Sequence, residues 1–465
     1  MFKHWKNAGK SSQGGLNLDY KSEYERKLVT ADEAVKVVKS GDVVHYGEFM
    51  MASHVLDAAL AKRSDELEGV NIRTTTCPFP PQTVVNDPER KHFIYNDWHF
   101  SGASRKLHDK NLCNYIPLTY HEGPSFYDRG LVPVDVALIK VTPPDQHGFV
   151  NLGTSNSLTH AFCDAAKIVI AEVNESVPRC LGGSRETLHV SEIDYFVQGD
   201  NRPLIQLPAP PISEVDKTIA KTILGQIEDG ACLQLGIGAM PNAVGAMIAQ
   251  SDLKDLGVHT EMLVDSFVDM YEAGRITGLR KQLDKGKMVY TFAMGSNKLY
   301  DFLHNNPICA SYSVDYTNDP DIICQIDNMI CINNAIEVDL YGQVASESSG
   351  TRHISGTGGQ LDYIYGSYKS KGGKGLICLT STFVDKEGKL QSRIKPTMTP
   401  GSIVTVPRSI NYYVVTEYGI AMLKGKSTWQ RAEALINIAH PDLRDELIKE
   451  ADTQKIWVRS NKIPN

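Results

Sequence analysis

Apolar positions along the chain fall into two alternating patterns. Short, mostly apolar runs predict buried strands at Val136–Lys140, Lys167–Val173 (K-I-V-I-A-E-V), Ala231–Leu235, Gly286–Phe292, Ile330–Ile332 and Gly375–Thr380. Ile403–Val406 and Tyr412–Thr416 read as a late strand pair. Helical spacing marks Ala31–Val38, Ser53–Lys62, Asn242–Gln250 and Thr428–Ile438. The two signals alternate from end to end, which predicts an α/β class.

The run Leu207–Ser213 (L-P-A-P-P-I-S) has three prolines and can continue neither a helix nor a central strand. It predicts a boundary between one α/β domain at 1–212 and a second at 213–465. A weak internal repeat supports the cut. Residues 40–60 read S-G-D-V-V-H-Y-G-E-F-M-M-A-S-H-V-L-D-A-A-L, and 229–249 read D-G-A-C-L-Q-L-G-I-G-A-M-P-N-A-V-G-A-M-I-A. Gly41 aligns with Gly230, Gly47 with Gly236 and Val55 with Val244. Each copy reads as glycine turn, buried strand, small-residue loop and helix. Any α/β unit shares that outline. A true repeat predicts two similar domains facing each other across a cleft.

Composition narrows the function. Of 465 residues, 42% are hydrophobic and 22% charged, and 48 basic against 55 acidic residues leave a net charge of −7. That balance opposes a nucleic-acid coat or a basic membrane-surface protein. No apolar run approaches the roughly 18 residues of a membrane span, and the polar N-terminus lacks a signal-peptide core. Nine scattered cysteines, an odd number with no Cys-x-x-Cys, oppose a disulfide framework or zinc ribbon and make a reducing cytoplasm the default.

Four segments have the residue types for chemistry. Gly236–Asn242 (G-I-G-A-M-P-N) follows a strand and opens a helix. Its glycines let backbone approach a ligand, and free N–H groups at the helix start would receive an anion or oxyanion. The plainer reading is a tight turn, and the third glycine of a dinucleotide fingerprint is missing. In Val258–Asp269 (V-H-T-E-M-L-V-D-S-F-V-D), Glu261 sits among apolar neighbours, where a carboxylate is costly unless paired or functional. The plainer reading is a surface glutamate on an edge strand, and His259 reads as a satisfied polar side chain. Asp265 and Asp269 would share a solvated helix face. Ser355–Asp362 (S-G-T-G-G-Q-L-D) is a glycine loop that either packs against something and donates N–H groups or lies mobile on the surface; residues 367–374 read as a solvated turn. Thr142–Ser155 is either a functional loop or a structured connection between strands, and its His147 has no partner at metal-ligand spacing. No H-E-x-x-H, EF-hand, Walker loop or G-x-S-x-G is present.

Taken together, G-I-G-A-M-P-N-A-V, V-H-T-E-M, I-N-N-A-I-E-V-D-L-Y-G-Q-V, G-T-G-G-Q-L-D and Y-G-I-A-M-L-K-G-K-S resemble the acetyl-CoA hydrolase/transferase family over nearly the whole chain. These are class I CoA-transferases, and the resemblance is strongest to their butyryl-CoA:acetate and 4-hydroxybutyrate branch. It implies two similar open α/β domains of the NagB/RpiA/CoA-transferase type with the active site between them. It implies Glu261 as the catalytic glutamate. The loop Gly236, Ile237, Gly238, Ala239 and Met240 would hold CoA, with the Ile237 N–H in the oxyanion hole and the Gly359 N–H completing it. Asn318 would contact the pantetheine arm, Ile336 would contact CoA, and Lys386 would meet the CoA phosphates.

The implied cycle moves CoA from a short acyl-CoA, butyryl-CoA or 4-hydroxybutyryl-CoA, to a carboxylic acid such as acetate through a glutamyl-CoA thioester. It needs no metal and no permanently bound cofactor; coenzyme A is a substrate. The implied partners are acyl-CoA and short carboxylates, with neither nucleic acid nor membrane, in a homodimer or homotetramer. An acyl-CoA hydrolase would use the same glutamate with water as acceptor. A non-catalytic acyl-CoA sensor would bind without turnover. A Rossmann dehydrogenase is opposed by the incomplete glycine pattern. Phe49, Met50 and Met51 would line an acyl pocket or simply pack in the core.

Overall fold

The computed structural model describes residues 20–207, 210–236 and 238–456. Two eight-stranded sheets dominate it. Counting only their strands, the first contains β1 (Leu28–Val29), β2 (Val43–Tyr46), β3 (Val70–Thr74), β4 (Phe93–Asp97), β5 (Asn114–Tyr115), β6 (Val134–Val141), β7 (Ala166–Val173) and β8 (Tyr195–Gln198). The second contains β9 (Cys232–Leu235), β10 (Gly257–Leu263), β11 (Met288–Ala293), β12 (Cys309–Ser311), β13 (Met329–Asn334), β14 (Lys374–Cys378), β15 (Tyr413–Thr416) and β16 (Gly419–Met422). The spatial orders are β1-β8-β7-β6-β2-β3-β4-β5 and β12-β11-β10-β9-β13-β14-β15-β16. Read from opposite edges, seven strands of each trace one topology, and only the outer strands β1 and β16 differ. Strands β2 and β9 stand at the reversal of strand order. Strands β3 to β5 and β10 to β12 run out one way, and β6 to β8 and β13 to β15 the other. All pairings are parallel except that of β15 with β16.

The weak repeat is therefore a structural one. Gly41 and Gly230 turn into β2 and β9 at φ +81° and +82°, a conformation that favours glycine. Gly47 N–H donates to Leu138 O at 2.7 Å, and Gly236 N–H to Ile332 O at 2.8 Å, at matching places after each strand. In open parallel sheets, the crevice at the carboxyl ends beside such a reversal is where ligands bind.

The halves are joined by a continuous apolar core. Phe49 stacks on Phe292 with ring centroids 3.7 Å apart. The Thr142–Ser155 segment is largely a structured connection. Phe149–Asn151 pairs with Thr187–His189. Just beyond it, Asn156 and Ser157 N–H groups donate to Thr291 O at 3.0 and 3.2 Å, and Ala293 N–H to Thr154 O at 2.8 Å. No described helix is long and apolar enough to cross a membrane.

Three local expectations need correction. Ile403–Val406 is not a strand. It lies between Pro400-Gly401 and Pro407, its Ile403 and Val404 are exposed, and Tyr413–Thr416 pairs instead with Gly419–Met422. Asp265 is half-buried rather than solvated, because it accepts from the Ser296 N–H and hydroxyl; only Asp269 faces water, paired with Lys298. The solvated turn expected at residues 367–374 begins inside the helix Gln360–Lys369, with Ser367 buried.

Candidate active site

Glu261 lies in β10, the strand beside central β9, and is the one residue of that strand not fully buried. Its side chain is held from two sides. Asn318 Nδ2 donates to Glu261 Oε2 at 2.7 Å. The backbone N–H of Gly359 also donates to the carboxylate, and a methyl placed on Gly359 would overlap Glu261 Oε2 and Asn318 Nδ2. Burial pushes Glu261 up to about 7, Asp362 adds to the rise through charge repulsion, and the Asn318 and Gly359 bonds pull against it. The carboxylate is thus a weak acid poised near neutrality, a property concentrated at functional sites.

Asn318 is itself fixed. It follows the short helix Val314–Thr317 and is fully buried. The carbonyl of Thr317 receives His259 Nε2 at 2.8 Å and the Tyr363 hydroxyl at 2.9 Å. His259, two residues before Glu261, is pushed down to about 3 by burial and is neutral. It therefore donates from Nε2, while its buried Nδ1 has no hydrogen-bond partner among the described residues, so the satisfied polar group the sequence suggested is met at one nitrogen only.

The loop before Gly359 threads between the halves. A methyl on Gly356 would come within 2.8 Å of Trp98 O. One on Gly358 would sit 3.3 Å from His99 Cε1 and 3.8 Å from Glu261 Oε1. Only glycines fit that gap. His99, contributed by the first half, is pushed down to about 4 by burial, with His353 and Arg105 acting the same way. A second first-half residue, His121, reaches the helix after the loop: its Nδ1 lies 2.8 Å from Asp362 Oδ1, and its N–H donates to Oδ2 at 3.2 Å. His99 and His121 belong to no local motif, so nothing in the sequence pointed to them.

The G-I-G-A-M loop is linked to this group through one strand end. Gly238 takes φ +127° as the residue capping the helix Ala239–Gln250, with space for a methyl only 3.1 Å from Asn334 Nδ2. Gly236 packs on Ile332 O and Asn333. Asn334 O in turn accepts from Gln360 Nε2 at 2.7 Å, next to Gly359. Ile336 follows the same strand; its carbonyl accepts from Arg393 Nη1 at 3.0 Å. Ala239 and Met240 start the helix, with Met240 buried. Ile237 lies outside the described residues. Lys386 stands exposed at the tip of the hairpin Thr382–Val384/Leu390–Ser392 and touches none of the others among the described residues. Phe49 and Met51 pack in the core, while Met50 lines a cavity of about 600 Å³ with His54, Phe79 and Lys140. None of the residues gathered around Glu261 lines that cavity.

Two duplicated α/β halves thus close on one buried carboxylate held near neutrality. Family models agree: residues 15–208 match the acetyl-CoA hydrolase/transferase N-terminal domain and 295–451 its C-terminal domain. The chain is 55% identical over 441 residues to a probable butyrate:acetyl-CoA coenzyme A-transferase of Syntrophomonas wolfei, covering 95% of this chain and 98% of that one. It is 54% identical to a butyryl-CoA:acetate CoA-transferase of Anaerostipes caccae, covering 96% and 100%. The crystal structure of a 4-hydroxybutyrate CoA-transferase from Porphyromonas gingivalis superposes with a TM-score of 0.76 at 33% identity, covering 94% and 100%. This chain belongs to the acetyl-CoA hydrolase/transferase family.

Proposed function

We propose that the protein is a CoA-transferase that moves CoA between butyryl-CoA and a short carboxylate such as acetate, with Glu261 as nucleophile. The observation that carries this reading is Glu261 itself, a partly buried carboxylate near neutrality, gripped by Asn318 and faced by the Gly359 N–H. The two relatives above 50% identity, named for butyrate and acetate, support the substrate class. The 4-hydroxybutyrate enzyme makes that acyl group the next donor to assay.

In the ionised form, a Glu261 oxygen attacks the thioester carbonyl. The C–S bond breaks, CoA leaves as thiolate, and an acyl-glutamyl anhydride remains. The thiolate then attacks the glutamyl carbonyl and expels the acid, giving a glutamyl-CoA thioester. An acceptor carboxylate reverses both steps and restores Glu261. Each addition passes through a tetrahedral oxyanion, and a backbone donor aimed at it contributes on the order of 3 kcal/mol. Gly359 would be one donor and Ile237 the other. Gly236–Met240, Asn318 and Ile336 would position CoA, whose remote binding energy is available for the reacting bond. Lys386 would reach the phosphates from its hairpin tip. CoA enters as substrate. The nine unpaired cysteines support a reducing compartment, the cytoplasm. A division at 212/213 is supported by the first sheet ending at Gln198 and by helix Glu214–Leu224 packing on Ala239–Gln250.

Initial rates with butyryl-CoA and acetate test the proposal. Parallel double-reciprocal lines and acetyl-CoA formation are expected. CoA release at the same rate without acetate would instead mark a hydrolase, and CoA binding with no turnover would mark a sensor.

A further inference from the structure

The Ile354–Gly359 loop has no regular structure and three glycines, yet its end must present an N–H to Glu261 within a few tenths of an ångström. Its anchors account for this. Ile354 and Ser355 N–H groups donate to the Glu347 carbonyl at 2.7 and 3.2 Å. From the first half, Arg105 Nε donates to Ile354 O at 2.6 Å and Phe100 N–H to Ser355 O at 3.2 Å. These bonds hold only the first two residues. Nearer Gly359, the Thr357 N–H donates to the hydroxyl of Tyr115 at 3.1 Å. Tyr115 lies on β5, the edge strand of the first sheet.

A phenol hydroxyl rotates freely unless its proton is committed. Here the Tyr115 hydroxyl donates to Glu347 Oε2 at 3.2 Å, which leaves its lone pairs to face the Thr357 N–H. Glu347 is buried, and its other oxygen accepts from the Thr405 hydroxyl at 3.0 Å. The Thr357 hydroxyl also reaches Oε2, at 3.4 Å. A buried carboxylate of the second half thus orients a tyrosine of the first, and that tyrosine fixes the loop two residues before Gly359.

We infer that Tyr115, oriented by Glu347, is a positioning residue that holds the Gly359 N–H in register with the Glu261 oxyanion. The inference rests on the proposed acyl transfer for its kinetic consequence but not for its structural one. Neither residue touches the reacting atoms, so their removal is expected to slow turnover without weakening substrate binding.

The test uses the full chain carrying Tyr115→Phe, Glu347→Gln and the pair together. Tyr115→Phe keeps the ring that packs on His353, 3.8 Å between centroids. Its kcat with butyryl-CoA and acetate should fall about 10- to 100-fold, below the loss of a whole oxyanion donor, with KM within about twofold. Glu347→Gln should lose less. The pair should fall little further than Tyr115→Phe alone, because apart from the long 3.4 Å contact with the Thr357 hydroxyl the Glu347 carboxylate acts through the tyrosine. Hydrogen exchange should quicken in peptides spanning 354–360 and nowhere else. A Tyr115→Phe kcat within twofold of the parent, or a fall matched by molecule-wide faster exchange, would overturn the inference. If the parent exchanges CoA with no acid, the functional reading fails, and the exchange data alone judge the clasp. Unchanged protection of 354–360 in Tyr115→Phe would then refute it.

Discussion

On the proposed mechanism Glu261 has to ionise before it can attack, yet its surroundings make ionisation difficult. Burial holds it near 7 while Asn318 and Gly359 favour the anion. With acyl-CoA as varied substrate, kcat/KM should rise with pH through about 7, the pKa of the free enzyme's nucleophile. In Asn318→Ala the carboxylate loses a donor, so the acid limb should move to higher pH, and a pH–rate profile of the two proteins would show it. Stability should respond in the opposite sense. An acid near 7 in the fold and near 4.5 unfolded binds more protons when folded, so its contribution declines as pH rises between those values. Glu261→Gln should therefore melt higher than the parent at pH 8 and close to it at pH 5, while losing at least about 10³-fold in turnover, as expected for a missing nucleophile. The sequence marked this residue, because a lone carboxylate among V-H-T-E-M-L-V is conspicuous. Its pKa was not legible, since Asp362, Asn318 and Gly359 are 57 or more positions away in the chain.

Among the elements, the glycine loop is the part least able to change. A methyl on Gly359 has no space between Glu261 and Asn318. Gly359→Ala should abolish turnover while leaving the melting temperature within a few degrees, because the displaced groups are the site rather than the core; thermal melts beside the rate assay check both halves of that statement. Gly238 differs. Its φ of +127° strains any other residue, at a cost of about 1–3 kcal/mol, and a methyl there would press on Asn334. Gly238→Ala should raise KM for acyl-CoA more than it lowers kcat, as steady-state kinetics would show. Buried parallel strands were readable from their apolar runs. The predicted Val136–Lys140 and Lys167–Val173 sit inside β6 and β7. Ile403–Val406 misled because four apolar-rich residues resemble a strand even where Pro400-Gly401 and Pro407 flank them; only Val406 pairs, in an isolated bridge with Val344.

For the whole molecule, one α/β topology occurs twice, and only the second copy has the carboxylate. Register along the paired strands puts Thr75 where Glu261 stands. There the Thr75 hydroxyl donates to buried Glu48, so the first copy's equivalent position is tied up in its own core. The duplication was legible from three aligned glycine and valine positions. What the first half adds to the site was not legible. His99, His121 and Tyr115 come from three separate segments and meet Gly358, Asp362 and Thr357 only because the halves close on one another. A local motif cannot encode a contact of that separation.

The central claim is that CoA becomes covalently attached to Glu261. Intact mass after mixing the purified protein with butyryl-CoA, without acceptor, tests it directly, with peptide mapping to place the adduct. The account predicts a gain of one CoA on the peptide containing Glu261, discharged by acetate with acetyl-CoA formed, and no gain in Glu261→Gln. Acetyl-CoA formation with an unmodified Glu261, or an adduct on another residue, would contradict it.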